Sequence, residues 1–213
     1  MTTWDLQLLR LINQDWSHPV LDWLMPAVSA INAWVPLLIP LILIVAWRGG
    51  KKARLMLLCL ALTLGISDGI VSNVLKKTIG RVRPRDAIEG LVVRDLGPGS
   101  PNIVRLFRAP SVTRSRPRGE TRGKSFPSSH VVNMFAAATV MAFFYRRAGL
   151  ILYLLAFTVA ISRVYVAAHW PSDLAPSAGI GLLVGLLIVM AARRAASRWP
   201  LFRISERPGS SPV

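Results

Sequence analysis

The sequence predicts an all-α integral membrane protein, a bundle of about five to six transmembrane helices with an interfacial helix at the N-terminus. Two observations carry this. Hydrophobic residues make up 53% of the 213, too many for an ordinary soluble domain. They also come in long blocks, several of which reach the ~20 mostly apolar residues that a spanning helix needs. The whole chain, residues 1–213, reads as one membrane domain.

Taken in order, residues 4–16 have the pattern of a short amphipathic helix lying in the interface. Residues 19–32, "PVLDWLMPAVSAIN", are apolar but short and carry Asp22 and Pro26. They fit a half-helix or the lower part of a broken span, so 1–32 is taken as an N-terminal membrane segment. Residues 33–47 are bracketed by Trp34 and Trp47, which suit the two interfaces, and residues 53–75 form a second span. Residues 76–127 are a basic extramembrane loop with 13 Lys and Arg and no convincing helix or strand period. Its second half, rich in Arg, Pro and Ser, fits either a mobile linker or a basic lip that gathers anionic headgroups. Three spans follow within 128–192, at 128–145, 148–167 and 173–192, and residues 193–213 are a basic tail. The opening stretch lacks a basic n-region and a small-residue cleavage site, so it does not read as a signal peptide.

The formal net charge of +16 invites a nucleic-acid reading, but no nucleic-acid-binding motif accompanies it. Cytoplasmic anchoring and attraction to anionic lipid account for such charge in a membrane protein. Cys59 is the single cysteine and lies in an apolar run, which excludes an intrachain disulfide and a Cys-based zinc site. Parity of the spans puts Arg48 to Lys52, Arg146, Arg147 and the tail on one side. The short-loop charge rule makes that side cytoplasmic and the 76–127 loop external, although Lys76 and Lys77 also flank a span.

Three polar clusters interrupt the apolar pattern: "KKTIGRVRP" from Lys76, "PSSH" from Pro127, and "SRVYVAAHWPSD" from Ser162. The last puts Arg163, His169 and Asp173 where a spanning chain avoids charge. Parity places the clusters on one membrane face. Lys76, Arg83 and Arg163 offer positive charge, with the planar arginine fork suited to phosphate oxygens. Ser128 and Ser129 open a helix whose free N–H groups favour an anion. His130 and His169 can divide nucleophilic and acid–base work. In this reading His169 attacks phosphorus and Asp173 fixes its imidazole tautomer, as a carboxylate does in a Ser-His-Asp triad. Pro171 belongs in the first turn of the last span. Asp68, at membrane depth, fits either a supporting role in proton handling or a polar contact inside the bundle. His18 reads as an interfacial residue.

The three clusters together resemble the motifs of the type 2 phosphatidic acid phosphatase (PAP2) family, KxxxxxxRP, PSGH and SRxxxxxHxxxD. The first and third match fully; the second has Ser129 where the family usually has Gly. The resemblance implies a metal-independent membrane lipid phosphatase with no cofactor. It further implies that Lys76, Arg83, Ser128, Ser129 and Arg163 bind phosphate, that His130 is the general acid, and that His169 is the nucleophile with Asp173. Its small bacterial members suggest undecaprenyl diphosphate as substrate at the outer face of an inner membrane. Lipid A phosphate and phosphatidylglycerophosphate or phosphatidic acid are the alternatives. A lipid phosphotransferase and a non-catalytic lipid or ion pathway are the rival classes. The expected partners are a polyprenyl or anionic lipid phosphate and the bilayer, and no nucleic acid; the oligomeric state is left open.

Overall fold

The computed structural model describes residues 3–198 apart from Arg118. Helix α1, Thr3–Arg10, runs into a π-helical turn over Leu11–Asp15. Then come α2, Pro19–Ser29, α3, Ile31–Arg48, and α4, Gly50–Ile66. A second π-helical turn, Ser67–Ser72, leads into α5, Asn73–Ile79, and the short α6 is Pro84–Ala87. The extramembrane excursion holds β1, Val92–Asp95, a 3₁₀ turn over Asn102–Phe107, and β2, Ser111–Arg114. Helices α7, Ser129–Phe144, α8, Arg146–Tyr165, and α9, Pro171–Arg198, follow. Residues 199–213 of the expected basic tail lie outside the described residues.

Among the described residues, four stretches are long and apolar enough to cross a membrane: Ile31–Arg48, Gly50–Ala87, Arg146–Tyr165 and Pro171–Ala195. Helix α7 is shorter, 16 residues, or about 24 Å at 1.5 Å per residue. It sits at the centre, packed against α4, α8 and α9, and Val131, Val132, Ala136, Ala138 and Val140 are fully buried. Many of the exposed apolar side chains lie on the outer helices, among them Leu43, Ile151, Leu154 and Leu187. The close approach of α9 to α7 depends on Gly181 and Gly185. A Cβ on Gly181 would stand 2.4 Å from the Val132 carbonyl oxygen, and one on Gly185 would stand 2.8 Å from that of Ala136. Small residues four apart are the usual device for bringing membrane helices together, where lipid supplies no hydrophobic drive.

The basic ends collect on one side of the bundle. Lys52 lies over the Tyr145 ring, 4.8 Å from its centroid, and Arg193 over Phe143, 5.8 Å from its centroid. The three motif clusters lie at the other end.

Three expectations need correction. The 76–127 loop is ordered by distant partners. Strand β1 pairs antiparallel with β2, Val92 opposite Arg114 and Asp95 opposite Ser111. The Asn13 side chain then brackets β1, donating to the Val92 carbonyl at 2.7 Å and accepting from the Val92 N–H at 2.9 Å. Buried Arg94 reaches Asp22 at 2.5 Å and the Asn13 carbonyl at 2.8 Å. Second, the 3–15 segment is more than an interfacial helix. Trp4, Leu8, Leu11 and Trp16 are exposed, but Asp5, Leu9, Ile12 and Asn13 are buried, with Leu9 and Ile12 packed on Val164 to Trp170. Third, Asp68 sits on the exposed surface of the Ser67–Ser72 turn, outside the bundle interior. Helix α2, 11 residues, rises only about 16 Å, about half the ~30 Å hydrocarbon thickness. His18 caps its start, accepting from the Val20 N–H at 3.3 Å.

Candidate active site

The third motif owes its spacing to two helix ends. Helix α8 stops at Tyr165 in a Schellman motif: the Ala167 N–H bonds the Val164 carbonyl at 2.9 Å, and the Ala168 N–H bonds the Arg163 carbonyl at 3.0 Å. Ala167 takes the left-handed conformation usually given to Gly, with φ of 56°. That strain is held in place by the His169 N–H, which also bonds the Arg163 carbonyl, at 3.1 Å, and by the Arg85 N–H on the Ala167 carbonyl at 3.2 Å. Pro171 then opens α9. Asp173, in that first turn, reaches back to accept from the Trp170 N–H at 3.0 Å, one half of a capping box. Arg163, His169 and Asp173 are thus fixed relative to one another by one C-cap and one N-cap.

His169 is 3% exposed. Its Nδ1 lies 2.5 Å from the Ser125 carbonyl oxygen. A carbonyl can only accept, so Nδ1 carries the hydrogen and Nε2 keeps its lone pair. Burial pushes this imidazole down to about 4, against the opposing pull of Asp173, so it is neutral at pH 7. Here the structure departs from the sequence reading. The Asp173 Oδ2 stands 3.8 Å from Nδ1, too far for a hydrogen bond, and the Ser125 backbone sets the tautomer.

Asp173 is fully buried and holds the frame of the site. Its Oδ1 takes a 2.5 Å ion pair from Arg81, and its Oδ2 accepts from Ser125 Oγ at 2.6 Å as well as from Trp170. Arg81 reaches on to Asp5 at 2.7 Å. Asp5, 1% exposed, also accepts from the Ser172 N–H at 3.0 Å and the Ser172 hydroxyl at 2.7 Å. The opening helix therefore braces the start of α9.

The other motifs meet this frame. Helix α5 ends at Gly80, whose φ of 63° turns the chain from Lys76 toward Arg83. The Ser125 N–H bonds the Arg81 carbonyl at 2.8 Å, tying the first motif to the approach of the second. Lys76 Nζ donates to Ser129 Oγ at 2.5 Å, so the residue that replaces the usual Gly orients the lysine. Ser128 is the N-cap of α7, and its N–H donates to Ser177 Oγ at 3.0 Å. Arg163 donates to Ser29 Oγ at 2.9 Å. His130, in the first turn of α7, is within electrostatic reach of Arg163, His169 and Lys76. Among the described residues, the buried side-chain atoms without a hydrogen bond include one donor from each motif, Arg83 Nε, Ser128 Oγ and Arg163 Nε; Thr63 Oγ1 and Ser72 Oγ, away from the motifs, are others. Among the described residues no group of three or more His, Cys, Asp and Glu converges to hold a metal ion.

The structure brings Lys76, Arg83, Ser128, Ser129, His130, Arg163, His169 and Asp173 to one end of the bundle. Sequence reasoning missed Asp5, Arg81, Ser125, Ser172 and Ser177. Arg81 could have been found, since it is a second arginine inside "KKTIGRVRP". Asp5 also left a trace, an acid on the face of α1 that carries Leu9 and Ile12. The serines left no signal.

The PAP2 superfamily profile matches residues 54–196. The chain is 28% identical over 197 residues to lipid A 4'-phosphatase of Bacteroides thetaiotaomicron, covering 91% of this chain and 79% of that protein. It is 27% identical over 191 residues to putative undecaprenyl-diphosphatase YbjG of Escherichia coli, covering 89% and 81%. The crystal structure of Aquifex aeolicus LpxE superposes with a TM-score of 0.62 at 24% identity, covering 89% of this chain and 96% of that one.

Proposed function

This chain belongs to the PAP2 superfamily, and we propose that it dephosphorylates an anionic lipid through a covalent phosphohistidine on His169, without a metal. It is a membrane phosphoric ester hydrolase. The observation that carries the mechanism is that each motif contributes a buried donor without a hydrogen bond, Arg83 Nε, Ser128 Oγ and Arg163 Nε, at the same end of the bundle. Buried polar groups normally find partners, and positively charged or hydroxyl donors without them suit a phosphoryl group.

With Nδ1–H held by Ser125, the Nε2 lone pair attacks phosphorus while the bond to the lipid oxygen breaks. Arg83, Arg163 and Lys76 neutralise charge on the non-bridging oxygens, as clamps do in phosphoryl transfer. His130 gives its proton to the departing lipid oxygen. It then takes a proton from water as that water attacks the phosphohistidine, the N–P bond breaks, and phosphate leaves. Arg81 and Asp173 hold the turn, and the Asp173 carboxylate, 3.8 Å from Nδ1, stabilises positive charge on the imidazole during the covalent stage.

The site faces away from the end that gathers Lys52, Arg146, Arg147 and Arg193. By the positive-inside rule this supports an active site on the outer face of a bacterial inner membrane. Lipid A phosphate and undecaprenyl diphosphate, the substrates in the names of the two relatives, are the leading candidates, and near-equal identities of 28% and 27% do not divide them. The test is a phosphate-release panel across lipid A phosphates, undecaprenyl diphosphate and glycerophospholipid phosphates, with a brief labelled incubation quenched in alkali. Label on the wild type and none on His169→Ala is expected. Label that persists on His169→Ala refutes the intermediate, and a labelled lipid product in place of free phosphate makes the protein a phosphotransferase.

A further inference from the structure

We propose that Arg114, Arg116 and Arg122 form a second anion-binding subsite, which takes a second phosphate held apart from the reacting one by the headgroup's own scaffold. This rests on the phosphatase reading above and names its substrate class: a lipid whose headgroup carries two separated phosphates.

Lys76 and Arg83 line one part of a cavity of about 780 Å³ that also takes in Lys77, Arg85, Arg114, Arg116, Arg122 and Lys124. That volume falls in the range of about 300–1,000 Å³ that houses a whole small ligand, so it exceeds the needs of one phosphate. Charge makes the same case. Eight basic side chains line the cavity against two acids, Asp86 and Glu120. A phosphate monoester carries only about −1.5 to −2, and Lys76, Arg83 and Arg163 already answer it. Among the described residues, none of these eight side chains forms an ion pair. Crowding like charges costs self-repulsion, which a second anion offsets.

The three arginines stand on fixed backbone. Arg114 and Arg116 are two apart on an extended segment, so they point to the same side. Ser115 between them is buried. Its N–H bonds the Leu91 carbonyl at 2.8 Å, its carbonyl takes the Gly90 N–H at 3.0 Å, and its hydroxyl donates to the Ile88 carbonyl at 2.6 Å. Arg114 spends one N–H on the Gly90 carbonyl at 2.9 Å and keeps the rest of its fork. Arg122 lies against Gly80, where a Cβ would stand 3.1 Å from its Nε. A loose basic lip would gather any anionic headgroup; side chains anchored in this way select a spacing. The second phosphorus of a diphosphate is joined through one oxygen and stays beside Lys76 and Arg83.

The test compares wild type with R114Q/R116Q on two substrates in mixed micelles: a synthetic glycolipid with two separated phosphates, and the same lipid with one. Both positions are exposed. With the bisphosphate, KM should rise about 10-fold or more while kcat holds, as for loss of charge-assisted contacts made equally in ground and transition states. With the monophosphate, both constants should stay near wild type. An equal rise in KM for both lipids would make the arginines a general lipid-gathering surface and overturn the subsite, as would no change for either. Failure of wild type to release phosphate from both lipids would strike the phosphatase reading itself.

Discussion

Asp5 lies in the opening helix, far in sequence from every motif, yet replacing it should disturb the catalytic turn. Its two oxygens accept three bonds, all from donors: Arg81 at 2.7 Å, the Ser172 hydroxyl at 2.7 Å and the Ser172 N–H at 3.0 Å. Asp5→Asn keeps the shape but puts an NH₂ where an acceptor stood. Whichever way the amide turns, that NH₂ faces an N–H or a guanidinium, leaving a buried donor unmatched. A hydrogen bond to a charged group is worth about 1.5–3 kcal/mol, and an unsatisfied buried donor costs about 1–3 kcal/mol. Arg81 is 30% exposed and keeps Asp173, which softens the loss, so the cost should be about 2–4 kcal/mol. The protein should still fold, with a Tm lower by about 5–10 °C. Because Arg81 also grips Asp173, the start of α9 loosens behind His169, and kcat should fall about 10-fold with KM nearly unchanged. Asp5→Glu should recover part of kcat. The assay is thermal unfolding in detergent beside single-turnover phosphate release. A variant with wild-type Tm and wild-type kcat would show that Asp5 braces nothing.

Four further outcomes are expected. His169 should titrate near 4, its neutral form being complete well above that pH and lost as pH falls through it; labelled-histidine NMR, with the signal assigned through His169→Gln, should show this, and a midpoint near 6.5 would refute it. The same depressed value makes its contribution to stability present above about pH 6.5 and lost as pH falls toward 4. His130→Ala should slow a lipid monoester by about 10²–10⁴-fold in single turnover and an aryl phosphate much less, because only the poor leaving group needs the proton; equal losses would make His130 a phosphate binder. Ser129→Gly frees Lys76 from its 2.5 Å contact and should change KM by less than about 10-fold, so abolished activity would give the hydroxyl a larger role than orienting that lysine. In a Cys59→Ser background, Ser111→Cys should react with an impermeant thiol reagent on spheroplasts and Arg147→Cys should not; the reverse would put the site in the cytoplasm.

Some of this structure was legible because it is local. Spans announce themselves by apolar length, and the predicted limits 33–47, 148–167 and 173–192 fall close to α3, α8 and α9. The 76–127 loop was not legible for the opposite reason. Its strands are four residues each, too short for a period, and their order comes from Asn13 and Asp22 far up the chain. Ser115 shows the same limit. In sequence it is one more serine in an Arg- and Ser-rich stretch, yet in the fold it is the buried pin of the hairpin.

The site divides along the same line, and the division says where its tolerance lies. Between Arg163 and His169 the chain must finish a helix, make one left-handed residue and return two N–H groups to the Arg163 carbonyl. Between His169 and Asp173 it must start a helix whose N-cap N–H the aspartate reaches. Each interval is the length of a helix-terminal motif, so spacing alone carries the information and one inserted residue destroys it. The supports from outside, Asp5 on Arg81 and the Ser125 carbonyl on His169 Nδ1, obey no such count. One is reached through a neighbour in the motif, and the other is a backbone atom that any residue at 125 would supply. A sequence can therefore name the polar groups that the motifs bring together while staying silent on what holds them. Here the tautomer of His169 depends on the second kind of contact.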